Sequence, residues 1–125
     1  MNPYLFVYGT LMSHTGSEKA ALLGQEADLL GWATIAGLLY RISWYPGLVE
    51  GPGTVHGEVH KLRDPARSLR WLDAYEGIVA GGADSEYERV ERRVQLDTGN
   101  GLTAWVYLYR RDVSAAVRVA EGRWA

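Results

Sequence analysis

The chain has no cysteine in its 125 residues, which excludes disulfides, thiolate metal sites and a cysteine nucleophile. It also lacks a strong charge of either sign. Thirteen Lys+Arg stand against 15 Asp+Glu, a net charge of −2, so nothing electrostatic favours nucleic acid or an anionic membrane as a partner. No apolar run is long enough to span a bilayer. The run near the start is short and has no basic leader, so a cytoplasmic protein is expected. Repeats, low-complexity tracts and linkers are missing too, which predicts a single domain over 1–125. Phenylalanine is scarce, at one residue, against five Trp and eight Tyr. Such amphipathic aromatics suit a cavity with apolar walls and polar contacts. The composition is 47% hydrophobic and 22% charged, which excludes a disordered chain.

The first structural signal is Tyr4-Leu5-Phe6-Val7-Tyr8-Gly9-Thr10-Leu11. Residues 4–8 form an unbroken apolar and aromatic run, as in a strand covered on both faces. Gly9 breaks it. A glycine there permits a positive φ and a close approach of ligand to main chain. Adjacent backbone N–H groups at such a turn can converge on an anion or carboxylate. Taken alone, Gly9-Thr10 reads first as a plain strand-to-helix turn.

Next, Ser17 is placed to cap a short helix over 18–23 that stops at Gly24. His14, just before it, reads as a solvated loop histidine. Residues 38–42 read as a strand, and Gly31 and Gly37 suggest strands bent enough to curl towards a barrel. Tyr45-Pro46-Gly47 and Glu50-Gly51-Pro52-Gly53 are turn signals. Residues 54–62 alternate, with His56, Glu58 and His60 on one face. That spacing invites a metal site, but same-face neighbours lie about 6–7 Å apart, so the strand would have to bend. A polar, solvated face is the plainer expectation. Glu58 is left as a cavity-facing carboxylate or a structural hydrogen-bonding group.

Asp64-Pro65 opens a helix, with Asp as N-cap and Pro at the first helical position. Gly77 should end it. Leu69, Leu72 and Glu76 then share one side, so Glu76 lies on the face to be buried. Residues 78–86 read as a lid or a long connection. Residues 87–96 and 102–109 form two strands joined by a hairpin turn containing Asp97-Thr98-Gly99-Asn100-Gly101.

Glu76 breaks a local rule. A helix C-terminus carries partial negative charge, which disfavours an ionised carboxylate by roughly 0.3–1 kcal/mol. Burial and the nearby Asp73 push the same way, so a raised pKa is predicted. That is what a general base working near neutrality needs. The residues alone also fit a helix-end Glu paired with Arg70, Arg89 or Arg92 and otherwise inert.

The ordered set Tyr8-Gly9-Thr10-Leu11, Leu72-Asp73-Ala74-Tyr75-Glu76-Gly77, Tyr87-Glu88-Arg89 and Ala104-Trp105-Val106-Tyr107 resembles the gamma-glutamylcyclotransferase-like family, especially its gamma-glutamylamine cyclotransferase branch. The Glu121-Gly122-Arg123-Trp124 tail resembles the close of many bacterial members. The resemblance implies an α+β domain, a small mixed β-barrel-like sheet with two flanking helices. It implies an enzyme that cyclises a gamma-glutamyl group to 5-oxoproline and releases the attached amine or amino acid, with no cofactor and no metal. It makes Glu76 the catalytic acid/base. Tyr8, Gly9, Thr10 and Leu11 become the loop that binds the gamma-glutamyl moiety, and Tyr107 a cavity wall. Arg89 joins the substrate-binding set through a Tyr-x-Arg match with Tyr87, where it orients Glu76 or ties strand to helix. A non-catalytic module binding a carboxylate or amino-acid-like metabolite is the alternative on the same fold.

Overall fold

The apolar run at the start is a strand with its neighbours on both sides. β1 (Tyr4–Val7) pairs antiparallel with β3 (Pro46–Leu62) and parallel with β5 (Gly101–Tyr109) through Leu5 and Trp105. Leu5, Phe6 and Val7 are all buried. The computed structural model describes residues 1–78 and 85–124. Besides these strands it holds a 3-10 turn (Ser13–Thr15), α1 (Glu18–Glu26), β2 (Ala27–Arg41), α2 (Pro65–Tyr75), β4 (Tyr87–Leu96) and β6 (Val117–Arg118). The strand order is β3-β1-β5-β4-β2-β6, and β2 also pairs with β3. The sheet therefore closes into a barrel, with β6 an added edge on β2. The fold is α+β, with a mixed barrel-like sheet and two helices, as the sequence led us to expect.

Closure depends on two very long strands. β2 has 15 residues and β3 has 17, and their register slips twice, between Leu29 and Gly31 and between Ala36 and Leu38. Bulges of this kind bend a strand and increase its twist, which a small barrel requires. The second slip corrects one expectation. Glu50-Gly51-Pro52-Gly53 is not a turn between strands. It is a bulge within β3 that falls opposite Gly37, since Ala36 pairs with Thr54 and Leu38 with Val49. A Cβ on Gly51 would lie 2.7 Å from Leu38, and one on Gly53 would lie 2.7 Å from the Gly37 carbonyl. The glycines serve close packing, and Pro52 sits at a bulge, where its missing N–H costs no ladder bond.

α1 also departs from expectation. Ser17 caps it, accepting from the Ala20 N–H at 3.1 Å. However, the helix passes through Gly24 and ends at Glu26, directly before β2. Its last turn is pinned from outside. The Glu26 carboxylate accepts from Ser68 Oγ at 2.6 Å and Trp71 Nε1 at 2.9 Å. These bonds offset the cost of about 1 kcal/mol for a glycine inside a helix.

α2 follows its sequence signals. Asp64 accepts from the Arg67 N–H at 3.3 Å, and Pro65 opens the helix. Gly77, at φ 77°, ends it with paired bonds: Gly77 N–H to the Ala74 carbonyl at 3.1 Å, and Ile78 N–H to the Asp73 carbonyl at 2.9 Å. Leu69 and Leu72 bury the inner face. Glu76 is fixed at the junction, between the last helical residue and the left-handed glycine. The lid or connection expected over 78–86 lies, from 79 to 84, outside the described residues.

Candidate active site

The C-terminal ends of β1 and β5 and the N-terminal ends of β3 and β4 meet at one end of the barrel, beside the last turn of α2. Between them is a cavity of about 210 Å³ lined by Tyr8–Leu11, Trp44–Pro46, Tyr75–Gly77, Glu86, Tyr87 and Tyr107, among others. Glu76 and the first loop therefore face a common hollow, although sixty-odd residues separate them in sequence.

The loop is rigidly built. Met12 N–H bonds back to the Gly9 carbonyl at 3.0 Å. The Thr10 carbonyl accepts from Thr15 Oγ1 at 2.8 Å and Ser17 Oγ at 2.9 Å. The Thr10 hydroxyl meets the Tyr75 hydroxyl at 2.7 Å, which joins the loop to the end of α2. Among the described residues, no turn or loop carbonyl accepts from the N–H of Gly9, Thr10 or Leu11. Gly9 serves close packing, not the positive φ expected. Its φ is not positive, but a Cβ there would lie 2.6 Å from Pro46. The close approach is to the protein's own chain at the cavity wall.

Glu76 is partly buried, and its pKa is raised to about 7 by burial first, then by the charges of Glu86 and Asp73. The pairings that would have made it inert are taken elsewhere. Arg89 holds Asp73, with Nε at 2.8 Å and the second nitrogen at 3.2 Å, and Arg92 holds Glu50 at 2.6 Å. Arg70 is exposed, and among the described residues it forms no ion pair with Glu76.

Asp73 does not share Glu76's situation. Besides Arg89 it accepts from the Tyr107 hydroxyl at 2.7 Å. That bond, after burial, raises the Tyr107 pKa and fixes its ring in the cavity wall. Arg89 itself does not line the cavity. Its guanidinium sits 4.4 Å over the Trp105 ring and ties β4 to α2 through Asp73. Tyr8 donates to the Tyr107 carbonyl at 2.7 Å, and burial, then the charge of Glu76, raises its pKa. Tyr87 donates to the Pro46 carbonyl at 2.6 Å.

Several lining residues were not singled out from sequence: Trp44, Tyr75 and Glu86, with Tyr45 and Pro46 noted only as a turn. Tyr45 donates a hydrogen bond to Glu86, which raises the Tyr45 pKa to about 12, burial adding to it. The aromatic pair Trp44-Tyr45 next to Pro46-Gly47, which open β3 rather than form the turn expected, was the available signal. What it borders is set by non-local pairing.

The alternating His56, Glu58, His60 face is not the solvated surface expected. Glu58 and His60 are buried. Glu58 accepts from the Ser13 N–H at 2.8 Å and Ser13 Oγ at 2.6 Å, with His60 Nε2 at 3.2 Å. His56 instead lines a separate outer groove with Trp32, Thr34, Gln95 and Arg123. Among the described residues no three His, Asp or Glu side chains are gathered as a metal site. His14 is exposed. No helix of the described residues is long and apolar enough to cross a membrane.

Chemically, the cavity offers a carboxylate whose raised pKa brings proton exchange close to neutrality, in a hollow that also borders the Gly9–Leu11 turn and several aromatic rings. Residues 5–125 match the family model described as gamma-glutamyl cyclotransferase, AIG2-like. The chain is 36% identical over 121 residues to the gamma-glutamylcyclotransferase family protein YtfP of Escherichia coli K12, covering 96% of this chain and 94% of that one. The solution structure of the E. coli protein superposes with a TM-score of 0.66 over 97% of this chain and 95% of that one. An AIG2-like protein from Mus musculus is 25% identical, with a TM-score of 0.71 over 90% of this chain and 80% of that one. YkqA from Bacillus subtilis, also 25% identical, superposes at 0.74 over 99% of this chain, which spans only 40% of that longer protein.

Proposed function

The chain belongs to the gamma-glutamyl cyclotransferase, AIG2-like family, and from that premise we propose that it converts a gamma-glutamyl amine or gamma-glutamyl amino acid to 5-oxoproline and free amine, with Glu76 as general acid/base. The observation that carries this reading is the position of Glu76, with its raised pKa, in the same cavity as Gly9–Leu11.

The chemistry asks for these parts and few others. The nucleophile is the substrate's own α-amino group, so no serine, cysteine or activated water is needed. At neutral pH that group is an ammonium. Glu76, as carboxylate, takes one proton from it. The amine nitrogen then attacks the γ-carbonyl carbon and closes a five-membered ring, placing negative charge on the carbonyl oxygen. The amides of Gly9, Thr10 and Leu11 hold the gamma-glutamyl moiety by donating to its oxygens, in the ground state as in the transition state. As the bond from that carbon to the leaving nitrogen breaks, Glu76 returns its proton to the departing amine and the carbonyl reforms. The ring nitrogen, which still carries two hydrogens after the attack, gives up one of them through Glu76 to the released amine, which leaves as an ammonium. Water is neither consumed nor released. Folding the flexible substrate into an attack-ready conformation supplies the benefit of an intramolecular reaction. The walls of Tyr8, Tyr87 and Tyr107 shape that fold.

The test is to assay 5-oxoproline release from a panel of gamma-glutamyl dipeptides and amines. Turnover of at least one member is expected, and its loss in Glu76→Gln with the fold intact. A wild type silent on every member overturns the reading. If that silent protein still binds 5-oxoproline, and Glu76→Gln binds it equally well, the cavity is a metabolite-binding module.

A further inference from the structure

Glu58 is a buried carboxylate that the proposed chemistry does not use, and two of its three hydrogen bonds lead to one residue of the first loop. Two of its partners are the N–H and the hydroxyl of Ser13, at 2.8 and 2.6 Å. The third is His60 Nε2, at 3.2 Å. An ionised carboxylate only accepts, so Nε2 carries the hydrogen. The other ring nitrogen, Nδ1, is buried without a hydrogen-bond partner. A buried charge and an orphaned nitrogen are both costly, and an apolar pair of similar volume would pack into β3 with neither penalty. These side chains are therefore poorly explained by stability alone.

Their geometry supplies another reason. Ser13 follows Met12, whose N–H closes the Gly9–Met12 turn onto the Gly9 carbonyl. The near end of that turn is fixed because β1 is locked into the sheet, with Val7 directly opposite Glu58 in register. The far end has no strand to hold it. Glu58 reaches across from the strand opposite Val7 and clamps that far end by its backbone and side chain together. We propose that Glu58, oriented by His60, is a positioning residue that acts through Ser13 to aim the Gly9–Leu11 amides into the cavity. This rests on the reading of the cavity as a gamma-glutamyl site. Glu58 touches no substrate; it sets the direction of the groups that do.

The experiment uses Ser13→Ala, Glu58→Gln and the double variant of the full chain. Steady-state kinetics on the best gamma-glutamyl substrate are measured alongside 5-oxoproline affinity, followed through tryptophan fluorescence, with Trp44 at the cavity. Ser13→Ala keeps the N–H bond and loses one neutral-to-charged hydrogen bond, so KM and the 5-oxoproline Kd should rise about tenfold while kcat stays within a few-fold of wild type. The double variant should be no weaker than Glu58→Gln alone, because both act through one contact. If Glu58→Gln does not fold, the Ser13→Ala result still decides. Variants that lose thermal stability but keep wild-type KM and Kd overturn the proposal and leave the cyclotransferase reading untouched. A wild type that binds 5-oxoproline without turnover, with the variants binding it more weakly, supports the positioning role and defeats the activity. A wild type that neither binds nor turns over removes both.

Discussion

Two glutamates flank the same loop and are handled in opposite ways. Glu58, on β3, is buried. Burial alone would raise its pKa, but the hydrogen bonds from His60 and Ser13 outweigh that and hold it below the usual carboxylate range. Glu76, at the end of α2, is raised to about 7, first by burial and then by the charges of Glu86 and Asp73. The lesson is that burial by itself does not mark a working acid. The balance of donors against like charge does. A carboxylate with satisfied lone pairs is held as an anion and serves geometry. One buried beside acidic neighbours can exchange a proton at neutral pH.

The comparison breaks most visibly in kinetics. Glu76→Gln should lower kcat by about a hundredfold or more, in line with the loss of a positioned proton-transfer group, whereas Glu58→Gln should act mainly on KM. Equal kcat losses in both would erase the distinction.

Stability against pH sharpens it further, because the two shifts have opposite signs. Glu58 has a lowered folded pKa. It contributes stability above its unfolded pKa, near 4.5, and loses it as pH falls through the folded value. Glu58→Gln should therefore cost about 1–3 kcal/mol at neutral pH in urea unfolding, with the deficit shrinking on acidification. Glu76 has a raised folded pKa. Its contribution is fully present below the unfolded value near 4.5 and is lost as pH rises through about 7. Glu76→Gln should then melt several degrees above wild type at pH 8 and show no such gain at pH 4. A Glu76→Gln protein less stable than wild type at pH 8 would remove the case for a raised pKa at Glu76.

Gly9→Ala tests the loop without touching either acid. The added methyl would meet Pro46 at 2.6 Å, so a loss of about 1–3 kcal/mol is expected in urea titration, with a raised KM. The smallest effect belongs to Glu86→Gln. It removes one of the like charges facing Glu76, so the rising limb of the kcat/KM–pH profile should move to lower pH by some tenths of a unit. A shift to higher pH would mean that Glu86 does not act on Glu76 as a like charge.

What the sequence revealed follows the range of the interactions involved. α2 was legible because its signals are local: an Asp-Pro start, a glycine stop, and a carboxylate where a helix end should not carry one. The β4–β5 hairpin was legible for the same reason, its turn lying between alternating strands. α1 was misjudged at Gly24 because the bonds that carry the helix on to Glu26 come from Ser68 and Trp71, more than forty residues away. Glu50–Gly53 looked like a turn because glycine and proline serve bulges and turns alike. The long β2–β3 pairing that makes it a bulge is invisible locally. Gly9 was assigned to φ freedom or ligand approach, and only the folded chain brings Pro46 against it. Of the two roles left open for Glu58, the folded chain shows the structural hydrogen-bonding one; the burial of His60 was hidden in an alternation that reads as a wet strand until the loop carrying Ser13 folds over it.

The central claim is most directly tested by titrating Glu76 itself. Carboxyl carbon-13 NMR on protein labelled at glutamate, with the resonance assigned by its loss in Glu76→Gln, gives its pKa without reference to any substrate. The account predicts a midpoint near 7, well apart from the other glutamates. A Glu76 that titrates with the exposed carboxylates, near 4.5, would contradict it.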